Sequence, residues 1–168
     1  MTTSTTTTKG YVVQEQGSQN ISMGRDHPFK PPVHTDPYKQ RLWIKQHMAA
    51  VFRAFARKGF TEGTAGHISV RDPVDIHTFW INPLGIHFGV LKASDMVRVD
   101  YEGNIIDGEG SAINRAGFCI HSALHKARPD VNAACHCHTL YGETYAAFCR
   151  PLQMINQDMC TLYNEIGI

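Results

Sequence analysis

A chain of 168 residues, 42% of them apolar, can bury one real core, and its length suggests a single domain. A net charge of +1 gives no basis for nucleic-acid or membrane-surface binding, and no apolar run approaches the roughly 18 residues of a membrane span. The polar N-terminus lacks the apolar core of a signal peptide, and the odd count of five cysteines fits reduced thiols in a cytoplasmic protein better than a disulfide framework.

Residues 1–35 are rich in Thr, Ser, Gln, Gly and Pro and show no sustained apolar period, so they read as a disordered N-terminal arm. Residues 36–168 read as the folded domain. Asp36 suits a helix N-cap and Pro37 the first helical position. Ile44, Met48, Val51, Phe52 and Phe55 then recur at helical spacing as a core stripe, and Arg57, Lys58 and Gly59 mark the helix end. Gly63-Thr64-Ala65-Gly66 is a loop leading into a strand, Ile68 to Arg71. Phe79-Trp80-Ile81 is a second strand, followed by the turn Asn82-Pro83-Leu84-Gly85. Residues 96–100 form a third strand and Ile105-Ile106 a short fourth, joined by a hairpin-like turn at Glu102-Gly103-Asn104. A second helix is predicted over about 114–127, with Phe118, His121 and Leu124 or His125 on its inner stripe and Pro129 stopping it. Thr139 can cap a third helix, 140–148, and residues 152–155 read as a further strand.

Between the second and third helices lies Ala133-Ala134-Cys135-His136-Cys137-His138. The short apolar run predicts a strand, and side chains two apart on a strand share a face. His136 and His138 then point the same way, with Cys135 and Cys137 opposite. Two imidazoles on one face can bind a divalent metal at about 2.0–2.1 Å per nitrogen, or form a buried hydrogen-bonded pair. A tetrahedral site needs further ligands from elsewhere.

The order of elements predicts a mixed α/β layered domain without a dinucleotide fingerprint or a P-loop. At this point the residues carry a resemblance. Gly63-Thr64-Ala65-Gly66-His67-Ile68-Ser69-Val70-Arg71 resembles the first ligand loop of the class II aldolase/adducin family, and Asn82-Pro83-Leu84-Gly85-Ile86 its second. The helix sequence from Ile120 through Pro129, continuing to His136-Cys137-His138, resembles the family's helix and metal strand. The match runs from about Gln40 to Asp158 with the motifs in family order. The resemblance implies a central sheet between helices, a divalent metal (Zn²⁺ first) on His136 and His138, and a substrate pocket at Gly66, His67, Asn82 and Gly85. It also implies a homotetramer with sites at subunit interfaces, and a small carbonyl or sugar-like substrate.

The chain departs from the family pattern in several places. The family's catalytic Glu falls on Gly117, and Arg115 and Ala116 replace the phosphate-holding serines before it. His67 stands where aldolases carry an Asn. The family's third metal histidine lies beyond Ile168, so the domain is expected to be incomplete at its C-terminal end. Loss of an acid or base at 117 removes a contribution of about 10²–10⁴-fold to proton transfer. The expected function is a metal-dependent carbon–carbon lyase of aldolase or decarboxylase type, with His67, His87 or His121 as candidate proton carriers, and a surface-loop role competing for His87. For His121 and His125 a packed, hydrogen-bonded role competes. The alternative function is a non-catalytic, adducin-like module for self-association or a cytoskeletal partner, which the missing Glu favours and the retained histidine doublet opposes.

Overall fold

The computed structural model describes residues 6–8, 11–13, 31–108, 110–163 and 166, and the chain divides into two compact units, 1–137 and 138–168. Within the N-terminal stretch, β1 (Thr6–Thr8) and β2 (Tyr11–Val13) pair as an antiparallel ribbon. The rest of the expected arm up to residue 30 lies outside the described residues.

Helix α1 (Pro37–Arg57) begins as its sequence predicts: the Asp36 carboxylate accepts from Tyr38 N at 2.9 Å, with Pro37 in the first turn. Its apolar stripe buries Ile44, Met48, Ala49 and Phe52, with Val51 and Phe55 packed at the margin. The sheet it covers is antiparallel throughout, in the order β6 (Ile105–Asp107), β5 (Val97–Asp100), β4 (Thr78–Ile81), β3 (His67–Arg71), β7 (Ala133–His136). Strand alternation divides the side chains between two faces. Ile68, Val70 and Trp80 join the α1 core, while Phe79, Ile81, Val97 and Val99 form a second core that packs with Phe118 of α2 (Arg115–Ala127). The result is the predicted mixed α/β domain, with helices on both faces of one sheet.

The α1 face is tied by charge as well as by apolar packing. Asp72 is fully buried and accepts from Arg41 Nε at 2.9 Å and from Arg98 Nη1 at 3.4 Å. The Lys45 ammonium lies 4.0 Å from the Trp80 ring centroid, within cation–π range.

The α2 face is tied by Arg71, which is only 4% exposed. Its Nη2 donates to the carbonyls of His125 at 2.8 Å, Arg128 at 3.2 Å and Val131 at 3.2 Å, and its Nη1 to Ile76 O at 3.2 Å and to the Tyr101 hydroxyl. A helix leaves its last carbonyls unpaired, and a cation there suits the helix dipole. One guanidinium thus closes the end of α2, the turn after it and the approach to β7.

Two elements differ from expectation. Strand β7 ends at His136 and does not reach His138. Its ladder partner is β3, in the register His67↔His136, Ile68↔Cys135, Ser69↔Ala134, Val70↔Ala133. β3 begins at His67 because Gly66, at φ +93°, turns the chain away, so no rung remains for Cys137 or His138. Residues 152–155 are not a strand either, since the described residues of 138–168 contain no strand for them to pair with. That unit holds α3 (Leu140–Ala146), capped by Thr139, and the single turn α4 (Gln157–Cys160), capped by Asn156.

Replacing Arg71 by Met removes the donor to the buried His125 carbonyl and to three part-buried ones, and is expected to cost on the order of 3 kcal/mol. Arg71→Lys should recover only part of this, because an ammonium cannot span the set that the planar fork reaches. Urea denaturation of both variants checks it; an unchanged midpoint would mean those carbonyls find other donors.

Candidate functional site

The two glycine-containing loops meet at a pocket of about 160 Å³ on the first unit. Its lining includes Thr64 and His67 from the first loop and strand, Asn82, Gly85 and His87 from the second loop, and Asn114 from the start of α2. Of the predicted substrate residues, His67, Asn82 and Gly85 therefore come together at one cavity. Gly66 is not in the lining. A Cβ on it would stand 3.1 Å from the Phe88 ring and 3.4 Å from His136 O, so its place is a tight backbone turn beside the pocket.

Asn82 also has a structural duty. Its amide oxygen accepts from Ile68 N at 3.4 Å and its amide nitrogen donates to Gly66 O at 3.5 Å, stitching the second loop to the first. Asn114 does the same for α2: Oδ1 accepts from Gly117 N at 3.1 Å as the N-cap, and Nδ2 donates to Thr64 O at 3.4 Å. His87 is exposed and caps a short 3₁₀ turn by accepting from Gly89 N at 3.1 Å.

Behind the pocket the histidines cluster. The buried His67 ring lies 5.9 Å from His121, edge-on, and 6.1 Å from its cross-strand neighbour His136, nearly parallel at 11°. Deeper still, Ser69 Oγ sits between His121 Nδ1 at 2.6 Å and His125 Nε2 at 2.8 Å. A hydroxyl has one proton to give, so it donates to one ring and accepts from the other. Burial pulls the His121 imidazole down to about 4, with the neighbouring His67 and His136 adding to the effect. Burial, then the Arg71 charge, does the same to His125, also to about 4. Both rings are neutral at pH 7, and the Ser69 chain contains no ionised member. The packed reading holds for His125, which also lies against Phe79 at 5.0 Å.

His138 belongs to the second unit. There its Nδ1 lies 2.6 Å from Glu143 Oε1, on the first turns of α3. A carboxylate on Nδ1 fixes the tautomer whose lone pair is on Nε2, the arrangement that orients metal-ligating histidines.

A family model, "Class II Aldolase and Adducin N-terminal domain", matches residues 46–168. The chain belongs to this family. It is 48% identical over 137 residues to the meiotically up-regulated gene 14 protein of Schizosaccharomyces pombe, covering 82% of this chain and 53% of that protein. It is 39% identical over 144 residues to decarboxylase NovR of Streptomyces niveus, covering 84% of this chain and 53% of the relative. An L-fuculose 1-phosphate aldolase structure from Glaciozyma antarctica superposes with a TM-score of 0.77 at 43% identity, over 80% of this chain and 55% of that one. The chain thus spans about half the length of the relatives it matches. Among the described residues no helix is long and apolar enough to cross a membrane.

Ser69, Arg71, Asn114 and Glu143 are site-supporting residues that the sequence reading passed over. The first two carried a signal: in His67-Ile68-Ser69-Val70-Arg71 the polar residues alternate with apolar ones, so all three share the α2 face. Glu143, five residues past His138, carried none.

The depressed His125 pKa fixes the sign of a pH dependence. Between about 4 and the ordinary histidine value of 6.5 the unfolded chain binds a proton that the folded one does not, so stability is full above 6.5 and falls as pH drops through this window. His125→Gln, which keeps an amide near Ser69 but does not titrate, should flatten that part of the curve. Urea midpoints measured from pH 4 to 7.5 for both proteins test this, and identical slopes would contradict it.

Proposed function

We propose that this family member is a metal-dependent carbon–carbon lyase, of aldolase or decarboxylase type, acting on a small carbonyl or sugar-like substrate in the pocket between the two loops. The observation that carries the reading is the convergence of His67, Asn82 and Gly85 on one cavity, with His136 beside His67 at the end of β7. The likeness to decarboxylase NovR and to an L-fuculose 1-phosphate aldolase structure supports the reaction class.

The donor set suits a divalent ion. His136 and His138 offer imidazole nitrogens, which fit zinc and neighbouring metals, and the Glu143 contact on His138 is of the kind that orients a ligand. Such an ion, when bound, polarises a carbonyl oxygen as a Lewis acid. The chain's own residues do the rest. Gly85 and Asn82 shape the pocket wall, and the Asn82 amide holds the first loop in place. His121 is engaged through Nδ1 by Ser69, which makes it a positioning group. His67, the imidazole that lines the pocket, is assigned as the proton carrier in place of the family Glu.

A second reading, a non-catalytic adducin-like module, draws on the bare position 117 and on 33% identity over 134 residues to rat alpha-adducin. The readings separate on metal and turnover. Isothermal titration of the full chain with zinc should show binding that His136→Ala abolishes and Glu143→Gln weakens by about 10–100-fold. A panel of small hydroxyaldehydes and 2-keto acids, assayed for retro-aldol cleavage and carbon dioxide release, should give metal-dependent turnover lost in His67→Ala. Zinc binding indifferent to His136, or no turnover across the panel, would favour the binding module.

A further inference from the structure

The pocket-facing side of α2 is bare at its third residue. Gly117 is buried, and a Cβ built on it would stand 2.6 Å from Cε1 and Nε2 of His67 and 2.7 Å from Cδ2. Near-equal distances to three consecutive ring atoms put that carbon over the face of the imidazole, not beyond its edge. They fall far inside the roughly 3.5–4.0 Å of ordinary carbon contact. The ring is enclosed: His67 is 6% exposed, with His121 edge-on at 5.9 Å and His136 parallel at 6.1 Å between centroids. The backbone of Gly117 is also held, because Asn114 caps its N–H at 3.1 Å. Glycine is one of the least favoured residues inside a helix, so local propensity gives no reason for it here.

We propose that Gly117 is the seat of the His67 imidazole. It is a positioning residue whose missing side chain lets the ring stand in the pocket wall, and an imidazole at 67 and any side chain at 117 exclude one another. The consequence for catalysis rests on the lyase reading above. The proton-carrying group then comes from β3, and α2 cannot deliver a carboxylate to the same space while the ring is there. Positions 67 and 117 are one functional choice made twice in the sequence.

The test uses the full chain as wild type, Gly117→Ala, His67→Ala and the double variant. In wild type, Gly117→Ala should lower the melting temperature by several degrees. In the His67→Ala background the same change should raise it or leave it unmoved, since alanine is the better helix former once the ring is gone. Free imidazole should raise the melting temperature of His67→Ala but not of the double variant, whose new methyl fills the seat. On whichever panel compound turns over, Gly117→Ala should lower kcat on the order of tenfold to a hundredfold with KM little changed. Imidazole should restore turnover to His67→Ala alone. If no compound turns over, the lyase reading fails while the melting cycle and the imidazole effect still decide the seat. Gly117→Ala with unaltered melting temperature, or with the same loss in both backgrounds, would overturn the proposal.

Discussion

The site depends first on the guanidinium of Arg71. It is the last residue of β3, and it donates to carbonyls at the end of α2 and in the turn that follows. Those carbonyls are the ones a helix cannot satisfy itself. The contact therefore sets where α2 ends against the sheet. The same strand carries Ser69 and His67 on the same face, each one pleat further from Arg71. Once the helix end is pinned at Arg71, His125 falls opposite Ser69, His121 one turn further back, and Gly117 opposite His67. The register of the helix against one five-residue strand thus places the pairs that α2 and β3 make with each other.

That register also explains why the interior tolerates so many polar groups. Three polar side chains on a buried strand face would each cost free energy if left without partners. Ser69 is matched by two imidazoles and Arg71 by carbonyls and a tyrosine hydroxyl, and the His67 ring has the rings of His121 and His136 as neighbours. Burial keeps His121 and His125 neutral, so Arg71, matched by carbonyl dipoles and a hydroxyl, is the one charge among these side chains. On the opposite face, Asp72 is buried with its charge but sits between Arg41 and Arg98. The two faces solve the same problem differently: one surrounds its cation with carbonyl and hydroxyl oxygens, the other pairs its carboxylate with two guanidinium groups.

Much of this was legible in the sequence where the deciding physics is local. Asp36-Pro37 and Thr139 cap helices as their chemistry requires, and the alternation of Phe79, Trp80 and Ile81 across the sheet follows from the strand period. The convergence of the two loops on one pocket came through the family motifs, not through spacing. Non-local facts were not legible. The strand carrying His136 was expected to run on through His138, yet a strand lasts only as long as its partner, and the partner's start is set by the turn at Gly66 some seventy residues earlier. The apolar stretch 152–155 alternates like a strand but has no described neighbour to pair with. The Glu143 contact depends on how α3 leaves the chain after Thr139, which no periodicity encodes.

The early end of β7 has a chemical consequence for the histidine doublet. Two imidazoles on one continuous strand would be held by the same ladder and oriented alike. Here His136 is fixed by the last rung, opposite His67, whereas His138 is oriented by a side chain of its own helix-capping segment. A ligand held by sheet hydrogen bonds moves only with the sheet. A contact between partly exposed groups, such as that of His138 Nδ1 with Glu143 Oε1, contributes little by itself. The two imidazoles are therefore placed by different means, His136 by a sheet rung opposite His67 and His138 within the segment that carries Glu143. The β3–β7 ladder keeps His136 opposite His67, and the bare position at Gly117 leaves space on α2 for the His67 ring.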